Sequence, residues 1–202
     1  MFLSQKRSCL VTALLIAATL SATGFDQHFH IGNALAQEDS VKNLVVNGGF
    51  EDGDKTPAQW TEGAQIDGVQ YVWDRKQGQA GSSSLSLKKS AQRYFPVAQW
   101  WQIIERKPGA RQIRVSSQVK ASKVTKATID VIFLDDNSEW ISHEWSSYIG
   151  AKEAKDAPVT HDWKEYSGTI KIPDNARKIQ IGLQIYGPGQ VWFDEVQAAY
   201  VE

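Results

Sequence analysis

Histidine, cysteine and closely paired acids are the side chains from which most catalytic and metal centres are built, and this chain is poor in the first two: four histidines and one cysteine in 202 residues. His143 is followed by Glu144, but no second histidine completes a His-Glu-x-x-His zinc pattern. No Gly-x-Ser-x-Gly nucleophile elbow occurs, and His161 stands beside Asp162 without an evident partner. Asp135-Asp136 falls within Asp-Asp-Asn-Ser, a turn-forming composition, so these acids read as structural. A glycosidase needs two carboxylates about 5–10 Å apart, and no spacing singles out such a pair. The residues therefore point away from an enzyme.

Tryptophan is the surplus, at eight residues. Trp100 and Trp101 are adjacent, so within a strand they must face opposite sides. Trp140 and Trp145 are five apart and, without a bulge, also point oppositely. Some of these rings must then lie on outer faces. A flat aromatic ring offers a platform for the C–H face of a pyranose, while nearby amides, guanidinium and carboxylate satisfy its hydroxyls. Arg114, Gln118, Asp130, Gln180, Gln184 and Tyr186 recur at polar positions of alternating segments and supply those groups. Half-solvated antiparallel sheets carry such residues without any ligand, so the pattern alone leaves both readings open.

The elements that must position these residues are strands. In residues 178–186, Ile179, Ile181, Leu183 and Ile185 take one side while Gln180, Gly182, Gln184 and Tyr186 take the other. Residues 112–120 alternate likewise, with Ile113, Val115 and Val119 inward. Residues 127–134 and 139–147 flank the 135–138 turn as a hairpin. Further strands are expected at 44–46, 69–73, 85–88, 97–104, 163–172 and 190–198. About ten such segments without helical stripes predict an all-β sandwich of two antiparallel sheets.

Ahead of the strands, Lys6 and Arg7 precede a 12-residue apolar run, residues 9–20, with the form of a secretory signal. It is shorter than the roughly 18 residues of a spanning helix. Small-x-small sites end at Ala22 and Ala36; cleavage after Ala36 is favoured, with cleavage after Ala22 or an uncleaved anchor as alternatives. This divides the chain into a signal peptide at 1–36 and one domain at 37–202. The product is expected to be secreted or periplasmic, with no transmembrane segment after signal removal. Removal takes the sole cysteine, Cys9, so the domain must be held by its core rather than by disulfides. A formal net charge of −1 excludes the basic footprint of a nucleic-acid binder.

Asn43-Leu-Val-Val-Asn-Gly-Gly-Phe-Glu51, Trp60 and the late Val191-Trp-Phe-Asp-Glu-Val196 resemble the opening and closing strands of the jelly-roll carbohydrate-binding modules of families four, nine and twenty-two, within the galactose-binding-like superfamily. Ala80-Gly-Ser-Ser-Ser-Leu-Ser-Leu87 and Gln102-Ile-Ile-Glu-Arg-Lys-Pro-Gly109 resemble elements of the same family. The resemblance covers residues 43–200 and implies that the all-β sandwich of two antiparallel sheets is a jelly roll. It implies a structural calcium held by the carboxylates of Glu51 and Asp194 with backbone carbonyls near Gly49 and Ser83. It also implies core positions for Trp60 and Trp192 and a framework position for Trp163.

Together these features lead to the expectation of an exported, non-catalytic polysaccharide- or oligosaccharide-binding module. Its expected ligand residues are Trp100, Trp145, Arg114, Gln118, Asp130, Gln180, Gln184 and Tyr186. Strand parity leaves the outward member of Trp100 and Trp101 undecided; the family's polar-side glutamine at Gln102 favours Trp100. No catalytic domain accompanies the module, so a separate glycan-active enzyme is a possible partner. The alternatives are a structural or protein-interaction jelly roll that binds no sugar, favoured if Trp100, Trp101, Trp140 and Trp145 are all buried, and a small jelly-roll lyase or hydrolase.

Overall fold

The computed structural model describes residues 42–151 and 157–201. The expected signal peptide at 1–36 lies outside the described residues. Ten strands form in chain order: β1 Thr61–Glu62, β2 Val69–Asp74, β3 Ser84–Lys89, β4 Ala98–Glu105, β5 Gln112–Val124, β6 Ala127–Leu134, β7 Trp140–Ile149, β8 Val159–Lys171, β9 Lys178–Ile185 and β10 Gly189–Val201. They make two five-stranded antiparallel sheets, ordered β1-β4-β9-β6-β7 and β2-β3-β10-β5-β8. From β3 onward the chain changes sheet at every connection except the β6–β7 hairpin. The expected all-β jelly-roll sandwich is the observed fold.

Alternation sets the layers. Ile179, Ile181, Leu183 and Ile185 of β9 are all fully buried, as are Ile113, Val115 and Val119 of β5, and both rows project into the same core. Each such aliphatic side chain contributes about 1.5–3 kcal/mol relative to an exposed one. The β6–β7 turn is closed by Asp135, whose Oδ1 accepts hydrogen bonds from the N–H groups of Asn137 and Glu139, both at 2.9 Å. Asp135 is thus structural, as its composition suggested.

Residues 44–46 are not a strand. Asn43 instead lashes this segment to β10: its Nδ2 donates to the Val196 carbonyl at 3.0 Å and its Oδ1 accepts from Ala198 N–H at 2.9 Å. A Cβ on Gly48 would run into the Val196 carbonyl, so only glycine permits this approach. Trp60 is buried against Phe50 in the core, as expected.

Trp100, favoured as the outward ring, is a core residue at 1 % exposure, edge-on to Tyr71 with centroids 5.9 Å apart. Gln102 misleads as a marker of the polar side because it is itself buried there, where its amide accepts from Val46 N–H at 2.8 Å and donates to the Val46 carbonyl at 2.9 Å. A buried amide satisfied by backbone is compatible with an inward position. Trp101 is then the outward ring, half-buried on the outer face. Trp192, expected in the core, also lies outward on β10 between buried Val191 and Phe193, and its Nε1 donates to Asp74 Oδ2 at 3.3 Å.

These placements predict opposite outcomes for neighbouring substitutions. Trp100→Ala should lower unfolding free energy by about 3–5 kcal/mol, whereas Trp101→Ala should cost far less. Equilibrium denaturation of both variants checks this.

Candidate functional site

The outer face of the first sheet is laid out by register. Across it, Thr61, Trp101, Gly182, Asp130 and Trp145 lie side by side on β1, β4, β9, β6 and β7. Directly opposite residues of an antiparallel pair share a face, so all five belong to one row. From β4 to β7 is three interstrand steps, roughly 14 Å. Gly182 leaves the row without a side chain at its centre: a Cβ there would meet Gln99 Oε1 at 3.1 Å and Gln184 Nε2 at 3.3 Å. Gly182 is itself buried, so the ground between Trp101 on one side and Asp130 with Trp145 on the other is covered by the Gln99 and Gln184 amides.

The rings on β7 owe their common face to bulges. Trp140 pairs with Leu134 but Ser142 with Phe133, and Trp145 pairs with Asp130 but Ser147 with Ile129, so an extra residue enters β7 at each step. The first shift cancels the odd spacing, and Trp140 (64 % exposed) and Trp145 (40 %) share one face. Only an unbroken strand would have turned them to opposite faces. His143 and Tyr148 lie opposite outward-facing Ile132 and Thr128, so the outer stripe of β7 reads Trp140, His143, Trp145, Tyr148.

Beneath this stripe runs a polar network. Asp130 accepts from Gln184 Nε2 at 3.0 Å through Oδ2 and contacts His143 Nδ1 at 3.0 Å through Oδ1. Gln184 Nε2 also donates to Gln99 Oε1 at 2.9 Å, and Gln184 Oε1 accepts from Thr128 at 3.1 Å and from Tyr186 OH at 3.0 Å. Both amide hydrogens and both acceptor positions of Gln184 are thereby used. Burial pushes the Asp130 carboxyl above its ordinary range, against the lowering effect of His143 and Gln184.

Asp130, Gln184 and Tyr186 face outward as expected, but at 3 %, 5 % and 7 % exposure they support the surface rather than form it. Gln180, half-buried, shares a row with His143. Arg114 and Gln118 do not join them. Both lie on β5 in the other sheet, where they line a shallow cavity of about 290 Å³ with Glu165, Glu195 and Gln197. The eight expected ligand residues thus separate into one core ring, five residues on the first sheet's side and two on the second.

At one corner of the face, Tyr186 packs edge-on against Trp145 (5.9 Å) and Phe95 (6.0 Å). The Lys126 ammonium sits 4.1 Å from the Trp145 centroid and 4.2 Å from that of Tyr186. Buried Lys89 fixes the loop carrying Phe95 by donating to the Tyr94 and Pro96 carbonyls at 3.1 and 2.8 Å. Lys126 and Tyr148 were not anticipated, and Trp101 was the disfavoured member of its pair: their roles depend on cross-strand register, which no short motif encodes.

A second constellation closes one end of the sandwich. Glu51 accepts four hydrogen bonds, from N–H and Oγ of both Ser82 and Ser83, at 2.8–3.2 Å. Burial alone would raise this carboxyl, but the bonds from Ser83 and Ser82 outweigh it and hold it low. Asp194 accepts from Gln79 and Ala80 N–H groups through Oδ2 and from Glu195 N–H through Oδ1. Glu195, not anticipated from sequence, is aimed here by the β10 bulge between Asp194 and Gln197, where its φ is +48°. Burial raises Asp194 and Glu195, and repulsion among Glu51, Asp194 and Glu195 adds to it. A Cβ on Gly49 would lie 3.0 Å from Glu195 Oε1 and 4.0 Å from Asp194 Oδ1, so that backbone passes close to both acids. No lysine, arginine or histidine forms an ion pair with the three among the described residues.

No family model matches the chain. A 37-residue stretch is 43 % identical to an uncharacterized HTH-type transcriptional regulator of Bacillus subtilis, covering 18 % of this chain and 12 % of that protein. Among solved structures, the tailspike protein 4 enzymatically active domain of bacteriophage CBA120 aligns over 79 % of this chain at 21 % identity and TM-score 0.53, but the match spans only 21 % of that chain. The CBM22-1 xylan-binding domain of Paenibacillus barcinonensis Xyn10C aligns over 77 % of this chain and 92 % of its own, at 15 % identity and TM-score 0.51. A cyclase from Fischerella sp. aligns over 78 % and 96 %, at 12 % identity and TM-score 0.53. At these identities the likeness is one of fold, and that fold serves more than one activity. The chain folds as the jelly-roll sandwich found in solved carbohydrate-binding modules.

Proposed function

We propose that this chain is an exported, non-catalytic carbohydrate-binding module that takes a polysaccharide or oligosaccharide across the outer face of its first sheet. The observation that carries the reading is the row Trp101, Gly182, Asp130, Trp145. Two outward rings flank a floor made by the Gln99 and Gln184 amides over buried Gly182, and further polar groups at its edges come from Gln180 and His143. The buried network under the row locks its donors and acceptors before any ligand arrives, which reduces the ordering cost of binding. Of the four tryptophans that distinguish a binding module from a structural one, only Trp100 is buried in the core. Recognition of β-linked sugars by neighbours of the same fold supports the assignment: one solved structure is a complex with β-1,4-galactotriose. In the cell envelope or medium, a separate glycan-active enzyme is the natural partner.

A second reading, a small lyase or hydrolase, draws on the His143–Asp130 pair, since an imidazole oriented by a carboxylate is what a general base requires. A glycan incubated with the protein would then release new reducing ends or unsaturated products, and intact substrate after long incubation rejects this reading. For binding, calorimetric titration on a panel of β-linked oligosaccharides should show affinity that falls at least about tenfold in Trp145→Ala. Gly182→Val should weaken binding similarly by displacing the Gln99 and Gln184 amides that a side chain there would meet. Wild-type protein that binds no glycan, neutral or acidic, defeats the proposal.

The acidic end of the sandwich has the charge to hold a calcium ion. Glu195 would be its carboxylate ligand, with the Gly49 backbone alongside; the oxygens of Glu51 already accept from Ser82 and Ser83 and those of Asp194 from Gln79, Ala80 and Glu195 N–H, so these two would contribute charge while they anchor their loops. Bound to the folded state alone, the ion would stabilise it by mass action. Calcium should therefore raise the melting temperature and Glu195→Gln should remove the increase; identical curves with calcium and with chelator count against the site.

Without a cation the raised carboxyls set a pH dependence. Asp130, Asp194 and Glu195 bind protons more tightly folded than unfolded, so their contribution to stability is greatest at low pH. It declines as pH rises from the unfolded carboxylate value, about 4, through the raised folded values. Glu51, held low, acts in the opposite sense, and its contribution is lost as pH falls. In chelator, Asp130→Asn and Glu195→Gln should each flatten the decline in thermal melts recorded across the acidic range.

A further inference from the structure

Around the edge of the proposed face, β7 and β8 bound a groove of about 640 Å³ lined by Trp145, Tyr148, Lys164, Tyr166 and neighbouring serines. Two ammonium groups flank its aromatic walls. Lys126 is packed against both Trp145 and Tyr186, and Lys164 lies 5.4 Å from the Tyr166 centroid. Neither ammonium donates a hydrogen bond or forms an ion pair among the described residues, although each carries three donors. The only acid among the described residues lining the groove, Glu165, is paired with Arg114 at 3.5 Å. Asp130, nearby on the face, is engaged by His143 and Gln184.

The ring faces satisfy part of the charge of Lys126 but none of its directional hydrogen-bonding capacity. Holding this ammonium half-buried has a cost as well, since burial lowers its affinity for the proton. Fixed between two rings, it loses little further freedom when it meets an anionic oxygen, so the pairing is preorganised. Lys164, exposed and near the Tyr166 ring alone, adds a second positive charge along the groove. An occupant that lays a sugar ring on Trp145 and directs an anionic oxygen at each lysine would complete both groups at once.

We infer that the glycan taken by this site is acidic, a polysaccharide whose sugars carry a uronate carboxylate or a sulfate ester, with Trp145 contacting the ring and Lys126 and Lys164 the anionic groups. This rests on the glycan-binding reading and adds the chemistry of the ligand to it. A neutral glycan would offer neither ammonium a charged partner.

The test uses matched probes: polygalacturonate against its methyl ester, and a sulfated galactan against the desulfated polymer. Wild-type protein should bind the acidic member of at least one pair about tenfold or more tightly, and that preference should shrink in high salt. Which pair shows it separates carboxylate from sulfate. Lys126→Met keeps the aliphatic stem and should collapse the preference, and Lys126→Arg should restore it; a melting curve for each variant verifies folding. Equal binding of both members, or a preference unchanged in Lys126→Met and Lys164→Met alike, overturns the inference and leaves the glycan reading standing. Failure to bind any of the four polymers, or any oligosaccharide of the earlier panel, overturns both.

Discussion

Burial of Ile179, Ile181, Leu183 and Ile185 between the sheets fixes the register of β9, the middle strand of the first sheet, and every outward residue on that face takes its place from it. A slip of one residue would turn this aliphatic row to solvent and send Gln180, Gly182 and Gln184 into the core. At about 1.5–3 kcal/mol for each side chain, the penalty exceeds what the outer face could recover. The floor between Trp101 and Trp145 is therefore held from behind, by side chains that never meet a ligand.

The edges are governed differently. β7 borders a single neighbour, so it tolerates extra residues, and two of them collect Trp140, His143, Trp145 and Tyr148 on one side. The bulge in β10 acts at the opposite sheet, where it brings Glu195 beside Asp194 and Glu51. In both places a local break in pairing re-aims side chains that strict alternation would have kept apart. The alternation builds the core, and the breaks assemble chemistry around it.

Between core and surface lies a layer of buried polar groups, each of which would be costly alone. Gln184 is tolerated because all four of its hydrogen-bonding positions are filled, and Asp130 because Gln184 and His143 hold it. Gln102 follows the same rule on the inner side, where backbone groups of Val46 complete it. This explains why polarity was a poor guide to direction for Trp100: a glutamine marks the solvent side only when nothing in the fold offers it partners.

Period-two burial and turn chemistry are local and repeat along the chain, so the fold class, the strands of the core and the turn at Asp135 were legible from residue order alone. Glu51 and Asp194 were singled out only through the family resemblance, and Glu195 not at all, because its orientation depends on a bulge. Three outcomes emerged only in three dimensions: which tryptophans face outward, that Arg114 and Gln118 belong to a different sheet from Asp130 and Gln184, and that residues 44–46 dock through Asn43 rather than pair as a strand. Those outcomes depend on which strands become neighbours and at what offset, and these are set by the summed burial of residues far apart in the chain.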